Sequence, residues 1–512
     1  MLRVPLGRVA ITEVFHATAA VPTSEDRNVD EGTILLLVGA VLTASIVVAL
    51  GASRTGVPSL VAFLALGMLL GSDGPGNIEF DDAELARTVG VIGLAAILYE
   101  GGLSTSWRRL RQVVVPAALL STVGVAVTAI LTGAAAYFLF DLTWLEAVLL
   151  GAVVSSTDAA AVFATLRFTN IRRRLARTLE AETGGNDPMA IALTIGLIEW
   201  ILEPTFAFPE LVLLIVQELG LGLVVGVGLG AVATWAFARL PPSIGAFAPV
   251  ASVAAGALAF GTADVIGGSG FLAIYLVGLA VGSTPSRYRR QIVSFHEGLA
   301  FLAQVAMFIV LGLLVFPKDL PAVAVPGIVL AALLVLLIRP VAVWASTAFS
   351  DFTHKERALL GWAGLRGAVP IVLGAFVLSS EIESRETIFN AVFFVVVVSA
   401  LVQGTTLERV ADSLGLVSPG PAVVPAPFEV DALGSLELVD FAVAGDHAIA
   451  GAAVRELGLP RSALIAVVAR GDETIPPRGS TVVEPGDRLF VLVPRKKRAD
   501  LEDVFSRWRR RV

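Results

Sequence analysis

The sequence predicts an all-α polytopic membrane protein of about 13 transmembrane helices, in inverted repeats with broken crossing helices, plus a small α/β cytosolic C-terminal domain. Three observations lead there. Hydrophobic residues make up 56% of the 512 and charged ones only 16%, against roughly 25% charged in soluble domains. Apolar runs near the roughly 20 residues needed to cross hydrocarbon recur from residue 33 to residue 408. After Arg409 the composition turns abruptly to Pro, Gly and charge.

In chain order the spans are expected near 33–52, 57–71, 84–103, 112–139, 143–166, 179–202, 209–238, 246–262, 269–284, 295–316, 322–349, 356–378 and 387–408. Loops after odd-numbered spans carry the basic residues, among them Arg108, Arg109 and Arg111, Arg172 to Arg174, and Arg287, Arg289 and Arg290. Loops after even-numbered spans are acidic, as at Asp81, Asp82, Glu203, Glu381 and Glu383. Because basic loops stay in the cytoplasm, the N-terminus is expected outside and the C-terminus inside, in a plasma membrane. With an odd count, spans 1–6 and 8–13 would run in opposite senses, so span 5 corresponds to span 12. Both are interrupted, by Ser155-Ser156-Thr157-Asp158 in one and by Gly361, Gly364, Gly367 and Pro370 in the other.

Residues 1–30 are expected as a disordered extension, 31–410 as the transmembrane domain and 411–427, with four prolines, as a linker. Residues 428–512 form the cytosolic domain, with strands at 436–444, 463–469 and 488–493, a helix near 449–457, and a charged terminal helix running into a basic tail. There is no Cys, and the four His lack metal-ligand spacing, which argues against thiol or zinc chemistry. Neither a nucleophile–base set nor a phosphate-cradling glycine loop is visible, so an enzyme and a cofactor are not expected. Nothing points to nucleic acid; the partner that composition demands is the lipid bilayer.

The informative residues are acids inside apolar runs. A carboxylate in hydrocarbon costs roughly 2.5–3.5 kcal/mol on insertion scales, so it marks an ion pathway. On a helix, Glu182 and Asn186 share a face while Asp187 lies well round from Glu182. A second segment must therefore complete any shell, and the Thr157-Asp158 turn suits it, since unwinding frees carbonyls for a hard monovalent cation. Asn186 is placed to bridge to Thr157. A buried Asp cannot hold a proton and a cation together, so one alternately accessible site suffices for exchange. Arg366, in Gly364-Leu365-Arg366-Gly367, is the expected counter-charge, to Glu182 or another acid. Arg339 is expected to snorkel at the cytoplasmic end of its span. Glu180, at the start of span 6, complements the helix dipole and stays outside the site. A potassium channel would need a carbonyl filter, of which Thr88-Val89-Gly90-Val91 is only a fragment. A non-transporting membrane sensor is the other rival.

At Ser155-Ser156-Thr157-Asp158, Glu182-Thr183-Gly184-Gly185-Asn186-Asp187-Pro188-Met189-Ala190 and Gly361 to Pro370, the chain resembles the bacterial NhaP-type monovalent cation:proton antiporters. The resemblance implies a homodimer with a mobile core that carries the site like an elevator. It implies Asp187 as the essential carrier of cation and proton, with Asp158, Glu182 and Thr183 completing the shell directly or through water, Thr157 and Asn186 holding the crossing, and Arg366 pairing with Glu182. An Asn before the key Asp implies electroneutral one-for-one exchange. Thr183 and Gly184-Gly185 depart from the common pattern, which has Ser and bulkier residues there. Residues 430–495 are similar to the TrkA-C domain of potassium-conductance regulators. That attachment implies K⁺ over Na⁺ as the exchanged ion, and a small, nucleotide-type regulatory ligand on the tail.

Overall fold

The computed structural model describes residues 31–55, 58–158, 161–162, 171–241, 245, 247–417, 436–460, 462–470, 473–494 and 497–508. The extension expected over 1–30, the far half of span 5 and most of the expected linker lie outside the described residues. What is described divides into two compact units, one of membrane helices and one centred on a small sheet.

The helical unit contains α1 (Glu31–Thr55), α2 (Ser59–Leu70), α3 (Ala83–Ser104), α4 (Val114–Leu139), α5 (Trp144–Val153), α6 (Arg173–Leu202) and α7 (Phe208–Arg239). It continues with α8 (Ala248–Val265), α9 (Gly270–Ser283), α10 (Arg289–Leu313), α11 (Leu320–Ser346), α12 (His354–Trp362), α13 (Ala368–Leu378) and α14 (Arg385–Ser413). Each expected span overlaps a described helix, the twelfth as the broken pair α12 and α13 and the fifth through α5 alone. Among the described residues, however, only eight helices are long and apolar enough to cross a bilayer on those grounds alone. The other spans fall short for physical reasons. The fifth and twelfth are broken, α2 and α9 are short, and α6 carries Glu180, Glu182 and Asp187 within its apolar run. Helix α14 runs on to Ser413, into the stretch expected as linker. Lipid-facing surfaces are correspondingly apolar: Leu35 and Leu36 on α1 are each 72% exposed, as a bilayer rather than water allows.

Both breaks have local causes. A capping box at Thr143 and Glu146 starts α5, and the polar run after Val153 ends it. Thr353 and Glu356 start α12 in the same way. Between α12 and α13 the backbone is unwound, and α14 satisfies the freed groups. Gln403 Nε2 donates to Trp362 O (2.8 Å), and Arg366 N donates to Ser399 Oγ (3.1 Å). The two unwound stretches meet where Asp158 N donates to Leu365 O at 2.8 Å. Gly367 permits the crossing, because a Cβ there would stand 1.9 Å from Asp158 Oδ2.

Helices α4 and α11 each contain a five-residue π-helical segment, Leu120–Gly124 and Leu334–Ile338. Such a segment inserts an extra residue and turns the following side chains to a new face.

The second unit is an antiparallel sheet of order β1-β4-β2-β3, from β1 (Leu436–Ala442), β2 (Leu464–Arg470), β3 (Glu473–Ile475) and β4 (Arg488–Pro494), followed by α15 (Arg498–Trp508). Its core joins Phe441, Val468, Leu489, Val491, Phe505 and Trp508. The helix expected near 449–457 is absent; only a 3₁₀ turn, Val454–Glu456, forms there. Gly451 and Gly458 adopt positive φ (88° and 62°), and the segment bonds across to 479–483, with Gly451 N donating to Val483 O at 2.7 Å. That pairing competes with a helix and prevails.

Candidate functional site

The crossing of unwound stretches lies against the middle of α6, and their side chains interlock. Asn186 Nδ2 donates to Thr157 Oγ1 at 2.7 Å, and Thr183 Oγ1 donates to Thr157 O at 3.2 Å. Ser156 Oγ donates to Asp187 Oδ1 at 2.6 Å. Asp187, Asn186, Glu182, Thr157 and Ser156 are all buried, each 4% exposed or less. Helix periodicity accounts for the division of labour on α6: Glu182 and Asn186, one turn apart, both reach Thr157, while Asp187 turns to Ser156.

The ionic arrangement differs from the expected one. Glu182 does not pair with Arg366. Its Oε1 accepts from Arg339 NH2 at 2.5 Å, with both side chains almost completely buried. Arg339 is therefore no snorkelling residue; it follows directly on the π segment of α11 and points into the site. Arg366 instead donates from NH1 to Ser156 O (3.0 Å) and Ser155 O (3.3 Å). The unwinding explains this choice, because it leaves carbonyls with no helical partner at the negative end of α5. Gly364 leaves the room Arg339 needs, since a Cβ there would meet Arg339 Nε at 2.7 Å.

Asp158 is the least enclosed of the three acids. Its Oδ1 accepts from Ala161 N at 3.0 Å, and its other oxygen lies against Gly367. Asp158 and Glu182 both act electrostatically on Asp187. Even so, among the described residues no three acidic or His side chains converge on one point as a ready metal shell. A shell made of Asp187, Asp158 and Glu182 alone is thus not formed: Glu182 is drawn to Arg339 and Asp158 to its own backbone.

Three participants escaped the sequence reading. Ser156 is one residue before the expected Thr-Asp turn. Arg339 needed the π segment to be seen. Ser121, in the π segment of α4, donates to Glu182 O at 2.9 Å and occupies the space over Gly185, where a Cβ would meet its Oγ at 2.7 Å. A lone Ser in an apolar helix gave no signal.

The site thus holds three carboxylates and two guanidiniums inside a membrane helix bundle. A family model for the transmembrane sodium/hydrogen exchangers matches residues 41–412. The chain belongs to that family. A TrkA-C domain matches residues 438–506. Within the sodium/hydrogen exchangers, the chain is 39% identical over 477 residues to the K⁺/H⁺ antiporter NhaP2 of Shewanella baltica, covering 92% of this chain and 82% of that one. It is 38% identical to the K⁺/H⁺ antiporter NhaP of Alkalimonas amylolytica, with the same coverage. The solved structure of the sodium proton antiporter MjNhaP1 from Methanocaldococcus jannaschii has the same fold, with a TM-score of 0.64 at 23% identity over 74% of this chain and 99% of that one.

Proposed function

We propose that this exchanger is an electroneutral K⁺/H⁺ antiporter in which a potassium ion and a proton take turns on Asp187. The observation that carries the reading is the charge balance of the buried cluster. Among the described residues the cluster sets three acids, Asp158, Glu182 and Asp187, beside two guanidiniums, Arg339 and Arg366, an excess of one negative charge. Glu182 has its guanidinium and Asp158 its backbone N–H; among the described residues Asp187 has only the Ser156 hydroxyl. So dry a carboxylate is too costly to remain bare. One proton or one monovalent cation neutralises it, and either leaves the cluster with zero net charge. Crossing the membrane in those two states, and not in the bare one, gives one-for-one exchange with no charge moved.

The partly unwound crossing supplies the hydroxyls and carbonyls that a dehydrated cation needs. Potassium is favoured over sodium by the potassium-named relatives at 38–39% identity and by the attached TrkA-C domain. In this reading Thr157, Asn186 and Thr183 hold the crossing, and Arg339 and Arg366 set the charge. Residues 31–410 form the exchanger, with the N-terminus outside and the C-terminus in the cytoplasm of the plasma membrane. The chain works as a homodimer, and residues 428–512 bind a small regulatory ligand.

In proteoliposomes, potassium gradients should drive pH changes that are insensitive to membrane potential, with sodium less effective. Asp187→Asn should abolish the exchange while eluting as a folded protein. Wild-type exchange by Asp187→Asn would overturn the assignment, and potential-dependent exchange would overturn its stoichiometry.

A further inference from the structure

Helix α9 is clamped by close backbone contact on two sides. Towards α3, a Cβ on Gly278 would meet Tyr99 O at 2.4 Å, and one on Gly282 would meet Leu103 O at 2.1 Å. Towards α7, a Cβ on Gly222 would meet Ser269 O at 2.7 Å. Glycine faces of this kind bring helices to backbone contact and leave little freedom to slide. Towards α6 the close approach at Gly184 is filled by a side chain instead of backbone. Tyr275 reaches into the notch at Gly184, where a Cβ would lie 2.3 Å from both Cζ and Oη.

Tyr275 is 6% exposed and its hydroxyl is buried; Thr105 lies beside it, but no hydrogen bond of good geometry forms. A buried hydroxyl left unpaired costs about 1–3 kcal/mol, so its retention calls for a reason. The groups that act on it are Thr105, Glu180 and Asp187. Glu180 and Asp187 are two turns apart on α6, with Gly184 between them. The phenol therefore stands beside α6 between the buried acid and the start of the helix.

We propose that Tyr275 is a specificity-determining residue of the exchange, its hydroxyl giving an oxygen ligand to the potassium ion as it moves between Asp187 and the Glu180 end of α6. Gly184 is the other half of the device, because any side chain there would displace the phenol. This rests on the antiporter reading and adds a ligand to its path. A phenol oxygen is neutral, so it replaces one water of a partly dehydrated cation without adding to the cluster's charge.

The test uses the full-length protein in proteoliposomes, with exchange measured against K⁺ and Na⁺ concentration. Tyr275→Phe keeps the ring in the notch and removes only the oxygen. It should raise the half-saturating K⁺ concentration about fivefold, the loss expected for one neutral ligand, with the maximal rate nearly unchanged. Gly184→Ala should slow exchange at least about tenfold by steric conflict, and adding Tyr275→Leu should restore part of the rate. Unchanged half-saturation in Tyr275→Phe would overturn the proposal, and so would a wild-type rate in Gly184→Ala. Should Tyr275→Phe not fold, Gly184→Ala with and without Tyr275→Leu decides the matter. Asp187→Asn in the same vesicles separates the two claims: if it exchanges normally, the antiporter reading fails, whatever Tyr275 does.

Discussion

Removing Arg339 should be among the most damaging single changes to the membrane unit. In Arg339→Met the apolar stem is roughly kept, but Glu182 retains only the Thr157 hydroxyl at 3.5 Å on its Oε1, and its Oε2 already lacks a partner. Stranding one member of a buried ion pair costs about 3–5 kcal/mol. Unfolding entropy of roughly 2.1 cal/mol/K per residue, taken over residues 41–412, gives about 0.8 kcal/mol/K. The variant should then melt about 4–6 °C lower. Glu182→Gln alone strands Arg339 and should lose a similar amount. The double variant has neither charge and should recover most of the loss, the mark of direct coupling. Thermal unfolding followed by tryptophan fluorescence in detergent measures all three. An Arg339→Met protein as stable as wild type would refute the ion-pair argument, and so would a double variant whose loss is the sum of the single ones.

Two further outcomes follow from particular contacts. Gly367→Ala places a methyl 1.9 Å from Asp158 Oδ2, so the crossing must open; exchange should fall below detection, and a wild-type rate would show that the crossing is not required. In the tail unit, burial alone would raise the Asp487 carboxyl, but bidentate bonds from Arg470 at 2.8 and 2.9 Å and the Glu484 N–H hold it below the ordinary value. Its stabilisation is present above the unfolded carboxylate pKa, about 3.9, and is lost as pH falls through the lower folded value. Proteolysis of the full-length protein should therefore find the tail protected at neutral pH and increasingly cut below about pH 4, while Asp487→Asn is cut more readily at neutral pH and changes less with acid.

The positions of the helices were legible because hydropathy over a bilayer-sized window depends on composition alone. The break at 154–158 was legible because an acid beside three hydroxyls interrupts an apolar run, and that at 363–367 because glycines and a proline cluster there. The ion pair was not. Assigning Glu182 to Arg366 followed from choosing the arginine inside a broken helix, and it overlooked that broken helices expose carbonyls, which Arg366 takes at Ser155 and Ser156. Arg339 was misplaced because it was read from its place near the cytoplasmic end of its span, and the π segment ending at Ile338 turns the helix face immediately before it. The helix expected near 449–457 also failed: two glycines at positive φ and a facing strand-like loop decided otherwise.

The two π segments also bear on the symmetry of the molecule. If the first six and last six spans are repeats, span 4 corresponds to span 11 just as span 5 does to span 12. Breaks in spans 5 and 12 alone could be coincidence, since each supplies site residues. The π segments are harder to dismiss. They fall in the corresponding pair α4 and α11, both are five residues long, and each brings a polar group to Glu182: Ser121 to its carbonyl and Arg339 to its carboxylate. The two helices also pack together there, with Ser346 Oγ 3.1 Å from where a Gly124 Cβ would stand. A π turn sacrifices regular i→i−4 bonding and persists only where something else gains from it. Its gain here is geometric, because a regular helix would turn Arg339 by about 100° from Glu182 and leave two charges unpaired in the core. The charge balance of the site therefore depends on this local distortion.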